Sequence, residues 1–161
     1  MILWIYLTVL GCAMLPVLEL RGALPLALFV HHMPLIWAYP LCVIGNLLPV
    51  PFILLFINKI FEWMKGKKFL GKIADFFETR ALKRQGKVQK YETFGLFLFV
   101  AIPLPMTGAW TGALVASLLK LNFRKSMLSI ALGVLCAGVI VSVICLFFRQ
   151  LLPYIGLGKY A

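Results

Sequence analysis

The sequence predicts an all-α integral membrane protein made of two inverted repeats joined by a cytoplasmic amphipathic helix. Each repeat is a re-entrant helical hairpin followed by a transmembrane helix. The 161 residues are 63% hydrophobic with a mean hydropathy of +1.00, whereas soluble domains are about 45–50% apolar. Prolines and glycines interrupt two of the long apolar runs, and ten of the sixteen basic residues lie between Lys59 and Lys90. We therefore expect a single membrane domain over residues 1–161.

The first repeat, residues 1–57, begins with a predicted hairpin over residues 1–31. Near the middle of this hairpin an acid and a base lie two positions apart. Each ionised side chain at membrane depth costs about 2.5–3.5 kcal/mol, so such a pair indicates a functional site. Prolines on either side of the pair break the helix and predict the turn. The predicted hairpin tip comprises Pro16, Glu19, Arg21, Gly22 and Pro25.

The predicted span of the first repeat covers residues 35–57, and about 20 apolar residues are enough to cross the hydrocarbon layer. This span contains three prolines and one polar side chain, Asn46. We expect the helix to be kinked or partly unwound around Gly45 and Asn46, because proline removes a backbone donor.

Residues 58–92 form the only long polar segment. Phe69, Ile73, Phe76 and Phe77 fall on one helical face, and most of the lysines and arginines lie elsewhere. This pattern predicts an amphipathic helix in the cytoplasmic interface, with its cations near anionic headgroups. A solvated loop is the alternative, and the excess of basic residues favours the cytoplasmic side for both.

The second repeat, residues 93–149, contains a predicted hairpin over residues 93–119 and a predicted span over residues 126–148. Each arm of this hairpin has about 10 residues, or about 15 Å of helix, which reaches only the midplane. A re-entrant path also keeps the basic patch Lys120–Lys125 on the same side as residues 58–92. The turn residues of the second tip are Pro103, Pro105, Gly108 and Gly112.

Short matches at a nearly constant offset support the repeat. Arg21–Leu24 matches Thr111–Leu114 at an offset of 90, and Gly45 matches Gly133 at an offset of 88. One full crossing separates the two hairpins, so they are expected to enter from opposite faces. In folds of this kind the broken segments meet near the midplane and form the substrate site.

The charged pair supplies the candidate chemistry of the first tip. Arg21 is the best candidate to bind an anion, because its guanidinium is always charged and makes paired hydrogen bonds with phosphate. Its structural alternative is an ion pair with Glu19 or hydrogen bonds to hairpin carbonyls. Glu19 could carry a coupling proton, since burial favours the protonated carboxyl whereas a nearby guanidinium favours the carboxylate.

Four uncharged polar side chains complete the predicted substrate site. Thr107, Trp110 and Thr111 supply hydroxyl and indole donors at the opposing tip, and their alternative role is packing and capping of the hairpin. Asn46 either lines the same cavity or satisfies backbone groups near Pro49.

Motifs of the common enzyme classes are missing from the sequence. It has no Walker loop, no HExxH motif and no dinucleotide fingerprint, so we expect neither catalytic activity nor a cofactor. The four cysteines lie singly in apolar runs, and no cluster has the spacing of metal ligands. We therefore expect no metal site, and nucleic-acid binding does not suit a chain this apolar.

Three segments resemble the signature segments of the small multi-drug export protein family. They are residues 19–25, ELRGALP, residues 45–51, GNLLPVP, and residues 103–112, PLPMTGAWTG. The resemblance extends over nearly the whole chain and implies the hairpin architecture. The family is in turn similar in proposed fold to the DedA membrane proteins (VTT type), which have two facing re-entrant hairpins. Some DedA proteins are implicated in moving polyprenyl phosphate or phospholipids between leaflets.

Together these features lead us to expect a transporter or flippase. An amphiphile with an anionic head, such as polyprenyl phosphate or a phospholipid, would bind Arg21 at the midplane while Glu19 responds to protons. The alternatives are a proton-coupled exporter of lipophilic cations and a membrane assembly factor without transport. The expected setting is the plasma membrane of a prokaryote, with membrane lipids and the lipophilic substrate as partners. A homodimer would help four short segments to enclose a cavity.

Overall fold

The computed structural model describes residues 2–65, 92–104 and 107–151. Within these ranges the chain is helical and contains no β-strand. The helices are α1 (Ile2–Met14), α2 (Glu19–Pro25), a π-helix (Leu26–Val30), α3 (Leu35–Leu47), α4 (Val50–Lys65), α5 (Glu92–Ala101), α6 (Ala109–Leu118) and α7 (Phe123–Leu151).

A short turn separates α1 from α2, and the two helices pack against each other. The amide of Glu19 donates to the carbonyl of Leu15 at 2.9 Å, which closes the turn that contains Pro16. Pro25 lies inside a helical segment, whereas the sequence predicted a helix break there. Because proline has no N–H, the backbone widens into a π-turn directly after it, and the amide of His31 reaches back to the carbonyl of Leu26.

The first predicted span corresponds to α3 and the first half of α4. Residues 35–57 are long and apolar enough to cross a membrane. The helix stays intact through Gly45 and Asn46, where unwinding was expected, and the break comes at Leu48 and Pro49. Helix α4 then continues to Lys65, beyond the predicted end of the span.

The second predicted span lies within α7, a helix of 29 residues that is also long and apolar enough to cross a membrane. It begins three residues earlier than predicted, because the side chain of Asn122 caps its first turn. The Asn122 Oδ1 atom accepts hydrogen bonds from the amides of Arg124 at 3.1 Å and Lys125 at 3.4 Å.

The helices pack closely where glycine removes a side chain from a helix surface. A Cβ atom at Gly45 in α3 would lie 2.8 Å from the Cβ of Ala13 in α1. A Cβ atom at Gly133 in α7 would lie 2.7 Å from the Cβ of Val100 in α5. Small residues at helix contacts are typical of membrane proteins, where close backbone approach holds helices together.

Large apolar side chains remain on the outer surface of α7. Leu128, Val143 and Phe147 are each more than 60% exposed. Exposed apolar side chains on a helix that is long and apolar enough to cross a membrane fit contact with lipid. The chain is thus a helical membrane protein. The predicted amphipathic helix, with Phe69 and Ile73 on its apolar face, lies outside the described residues.

Candidate functional site

The carboxylate of Glu19 lies at the N-terminal end of helix α6. The amide of Trp110 donates to its Oε1 atom at 3.3 Å, and the neighbouring amide of Ala109 also faces the carboxylate. Glu19 is 7% exposed. The first amides of a helix have no partner inside the helix and carry the positive end of its dipole, so they stabilise a carboxylate placed there.

Glu19 itself adopts an unusual backbone conformation. Its φ angle is 49°, in the left-handed region that residues with a Cβ atom rarely enter. Such a conformation costs about 1–3 kcal/mol and persists where surrounding contacts impose it. Here the strain lies at the residue whose side chain reaches α6.

The guanidinium of Arg21 lies at the C-terminal end of α5, the helix that precedes α6. Its Nη2 atom donates to the carbonyls of Ile102 at 3.2 Å and Val100 at 3.4 Å, and its Nη1 atom donates to the carbonyl of Leu104. The last carbonyls of a helix have no partner inside the helix and carry the negative end of its dipole. Arg21 therefore caps α5, one of the two structural alternatives that the sequence left open.

These contacts join the two segments that the sequence predicted to face each other. Arg21 contacts the end of α5, and Glu19 contacts the start of α6. About 80–90 positions of the chain separate the two residues from these helix ends. A cavity of about 350 Å³ lies between the segments. It is lined by Pro16, Val17, Leu18, Glu19, Arg21, Gly22, Pro103, Leu104 and Thr111.

Gly108 allows a close approach between the two segments. It precedes the first residue of α6, and a Cβ atom added there would overlap the carboxylate of Glu19. Glycine is therefore required by the space that Glu19 occupies. The other predicted tip glycine of this segment, Gly112, lies inside α6 and faces the side chain of Val100 in α5.

The three other predicted side chains of the second tip make local or packing contacts. The hydroxyl of Thr107 donates within its own turn, to the carbonyls of Ile102 and Leu104 at 3.0 Å. The hydroxyl of Thr111 accepts from the amide of Gly108 at 2.8 Å and caps α6.

The indole of Trp110 donates to the carbonyl of Met14 at 3.0 Å, which ties α6 to the end of α1. Of these three side chains, only Thr111 also lines the cavity. Pro105 lies outside the described residues.

Asn46 is buried and does not line this cavity. It is 3% exposed, and its Oδ1 atom has no hydrogen-bond partner among the described residues. Together with Glu19, Arg21 and Gly108 it lines a second, much smaller void of about 10 Å³. Asn46 is thus brought close to the charged pair but not into the wall of the larger cavity.

The sequence offered hairpin carbonyls as one alternative for Arg21 without locating them, and it did not identify the groups that receive the charge of Glu19. The partners of the two charges are main-chain amides and carbonyls, and no side-chain motif marks them. The available signals were the glycine before α6 and the irregular stretch after α5. Within the described parts of the chain, no group of three or more His, Cys, Asp or Glu side chains could hold a metal ion.

Comparison with known proteins identifies one family. The family model described as "Putative small multi-drug export protein" matches residues 19–140, and this stretch includes both charged residues and both helix ends. No curated protein and no solved structure matches the chain significantly. The match extends over well over half of the sequence, and the chain therefore belongs to the small multi-drug export protein family.

Proposed function

We propose that the chain is a proton-coupled exporter of lipophilic cations and that its substrate binds in the cavity between the two charged segments. The observation that carries this proposal is the Glu19 carboxylate in the cavity wall. The other four acidic residues of the sequence lie between Glu62 and Glu92. Glu19 is therefore the acid within the apolar part of the chain that can exchange a proton for a cation.

Proton exchange at Glu19 would also change the contact with α6. The ionised carboxylate attracts both a cationic substrate and the positive end of α6. Protonation removes its charge, so a cationic substrate loses an opposite charge and the amide of Trp110 loses a strong acceptor. A proton and a cation thus compete for one group, and the same event loosens the junction between the two segments.

The proposed architecture is a pair of re-entrant hairpins related as inverted repeats. Two equivalent glycine contacts support it. Gly45 faces Leu10 and Ala13 of α1, whereas Gly133 faces Phe97 and Val100 of α5. The equivalent positions are 87 or 88 residues apart, in agreement with the offset read from the sequence.

A second pair of equivalent positions lies where the hairpin arms end. His32 and Lys120 have φ angles of 48° and 53° and follow the last helical residue of their arms by two positions. Their offset is again 88. Left-handed residues of this kind terminate helices by exposing the last carbonyls to the following amides. At both ends the next amide does reach back, from Met33 and Leu121.

Transport of an amphiphile with an anionic head is the second candidate. Arg21 favours it, because its guanidinium lines the same cavity. The guanidinium already donates to three carbonyls at the end of α5. An anion would have to compete with these acceptors, and for this reason cation export is the stronger proposal.

Glu19→Gln tests the proposed exchange. The glutamine side chain is nearly the same size and its amide oxygen can still accept from Trp110, so folding should be retained. We expect proteoliposomes with this variant to lose efflux of tetraphenylphosphonium driven by a pH gradient, whereas wild type retains it. Thermal unfolding of the purified protein serves as the control for folding.

Two outcomes would contradict the cation proposal. Wild-type efflux rates in Glu19→Gln would remove the carboxylate from the mechanism. Flipping of a fluorescent lipid phosphate that survives in Glu19→Gln but is lost in Arg21→Gln would favour the anionic candidate instead.

A further inference from the structure

The side chain of Asn46 has an unusual environment. It projects from α3, is 3% exposed, and its Oδ1 atom has no hydrogen-bond partner among the described residues. Buried polar atoms are nearly always hydrogen-bonded to protein or to ordered water, because an unpaired acceptor loses its hydration without compensation. Asn46 therefore indicates a binding partner beyond the side chains that surround it.

The void beside Asn46 has the size of one water molecule. Its volume of about 10 Å³ is close to the lower limit for a single bound water. The remaining lining groups are largely apolar, including Leu20, Val134 and Ala137. The polar groups available to a molecule in this space belong to Asn46, to the two charged residues of the site and to the main chain at the start of α6.

We propose that this void binds a single water molecule, which donates one hydrogen bond to Asn46 Oδ1 and one to the Glu19 carboxylate. Both side chains line the void, and a water there can satisfy two acceptors at once. A metal cation is disfavoured, because a cation such as Ca²⁺ takes about six to eight oxygen ligands, and among the side chains that line this void only those of Asn46 and Glu19 carry oxygen.

The water would support the ionised form of Glu19. Glu19 lines the cavity, and its Oε1 atom accepts a hydrogen bond from the amide of Trp110. A water in the smaller void would donate a further hydrogen bond to the carboxylate. This inference rests on the proposed function, in which Glu19 gains and loses a proton in each cycle. Without the water the ionised form loses a hydrogen bond, and turnover should slow.

Infrared difference spectroscopy detects such a water directly. Spectra are recorded for a pH step across the titration of Glu19, in water containing either oxygen-16 or oxygen-18. Wild type should show an O–H stretching band that moves with the oxygen isotope. Asn46→Val should lose this band. Asn46→Thr should retain it, because threonine has almost the same shape as valine but carries a hydroxyl that can bind the water.

Transport measurements give a second readout. We expect Asn46→Val to slow tetraphenylphosphonium efflux by about tenfold, since hydrogen bonds to charged groups are strong, while equilibrium binding of the cation changes less than about twofold. Ser126→Ala is the matched control. It also removes a buried polar atom without a described partner, but from a site that does not line this void.

The outcomes separate this inference from the proposed function. A wild-type spectrum without an isotope-sensitive water band overturns the inference, even if Asn46→Val does not fold. The same holds if Asn46→Val keeps the band and the wild-type efflux rate while Glu19→Gln loses efflux, and in that case the exporter proposal stands. Binding of radioactive sodium that Asn46→Val abolishes would assign the void to a cation and likewise overturn the inference.

Discussion

At the scale of single residues, the site depends on one close approach. The Glu19 carboxylate occupies the position where any side chain at residue 108 would begin. Glu19 also holds a strained backbone angle at the start of α2. The contact between the carboxylate and α6 thus restricts the chain at two places. Residue 108 can carry no side chain, and the backbone of Glu19 is held in a strained conformation.

Gly108→Ala should therefore weaken the junction. The added methyl group must displace the carboxylate, and we expect a loss of about 1–3 kcal/mol in the free energy of unfolding. Gly95→Ala is the control, because a Cβ atom at Gly95 in α5 would meet nothing within 4 Å. Thermal unfolding in detergent measures both variants, and equal stability of the two would show that Glu19 does not fill this position.

At the scale of helices, two contacts between neighbouring helices have the same construction. In each, a glycine of a long apolar helix segment, α3 or α7, faces a carbonyl and a small or branched side chain of a shorter helix, α1 or α5. Neither contact has room for a methyl group. The helix pairs α1–α3 and α5–α7 are therefore expected to respond alike to the same substitution.

Gly45→Ala and Gly133→Ala test this equivalence. Each should lower the free energy of unfolding by about 1–3 kcal/mol, because overpacking forces the helices apart. Gly11→Ala, at a position on α1 with open space around it, should be close to neutral. If only one of the two span variants is destabilised, the two contacts are not equivalent. The same thermal unfolding assay applies.

The sequence predicted the helical class, both long apolar helices and the two segments that meet at the cavity. It did so because apolar length and proline position are local properties of the chain. It offered hairpin carbonyls as one alternative for Arg21, but it did not locate them at α5, since the partners of Glu19 and Arg21 are backbone groups 79–91 positions away. The π-turn after Pro25 and the break at Leu48 were also not predicted, although a proline lies at or beside each of them and removes a backbone donor.

At the scale of the whole molecule, the distribution of charge makes a prediction about orientation. Most basic residues lie between Lys59 and Lys90 or in the short patch Lys120–Lys125 at the start of α7. The positive-inside tendency favours the same side of the membrane for both groups. In the proposed inverted repeat, the connection between α2 and α3 lies on the other side.

Cysteines added one at a time to the chain test this orientation. A maleimide that does not cross membranes should label His31→Cys from outside the cell and Lys125→Cys only after the membrane is opened. His31 is half-buried and Lys125 is exposed. Labelling is compared with that of the parent chain, because its own four cysteines carry free thiols. Labelling of Lys125→Cys in intact cells would contradict the re-entrant path of the second hairpin.

The division of the site between two distant segments also has a consequence for biosynthesis. Glu19 and Arg21 leave the ribosome long before the helix ends that receive them, because chains are made from the N-terminus. During this interval the nascent chain carries an acid and a base whose partners in α5 and α6 have not yet been made, and each ionised side chain costs about 2.5–3.5 kcal/mol at membrane depth. In the proposed hairpin architecture, we therefore expect the first hairpin to reach its final depth after the second has been inserted.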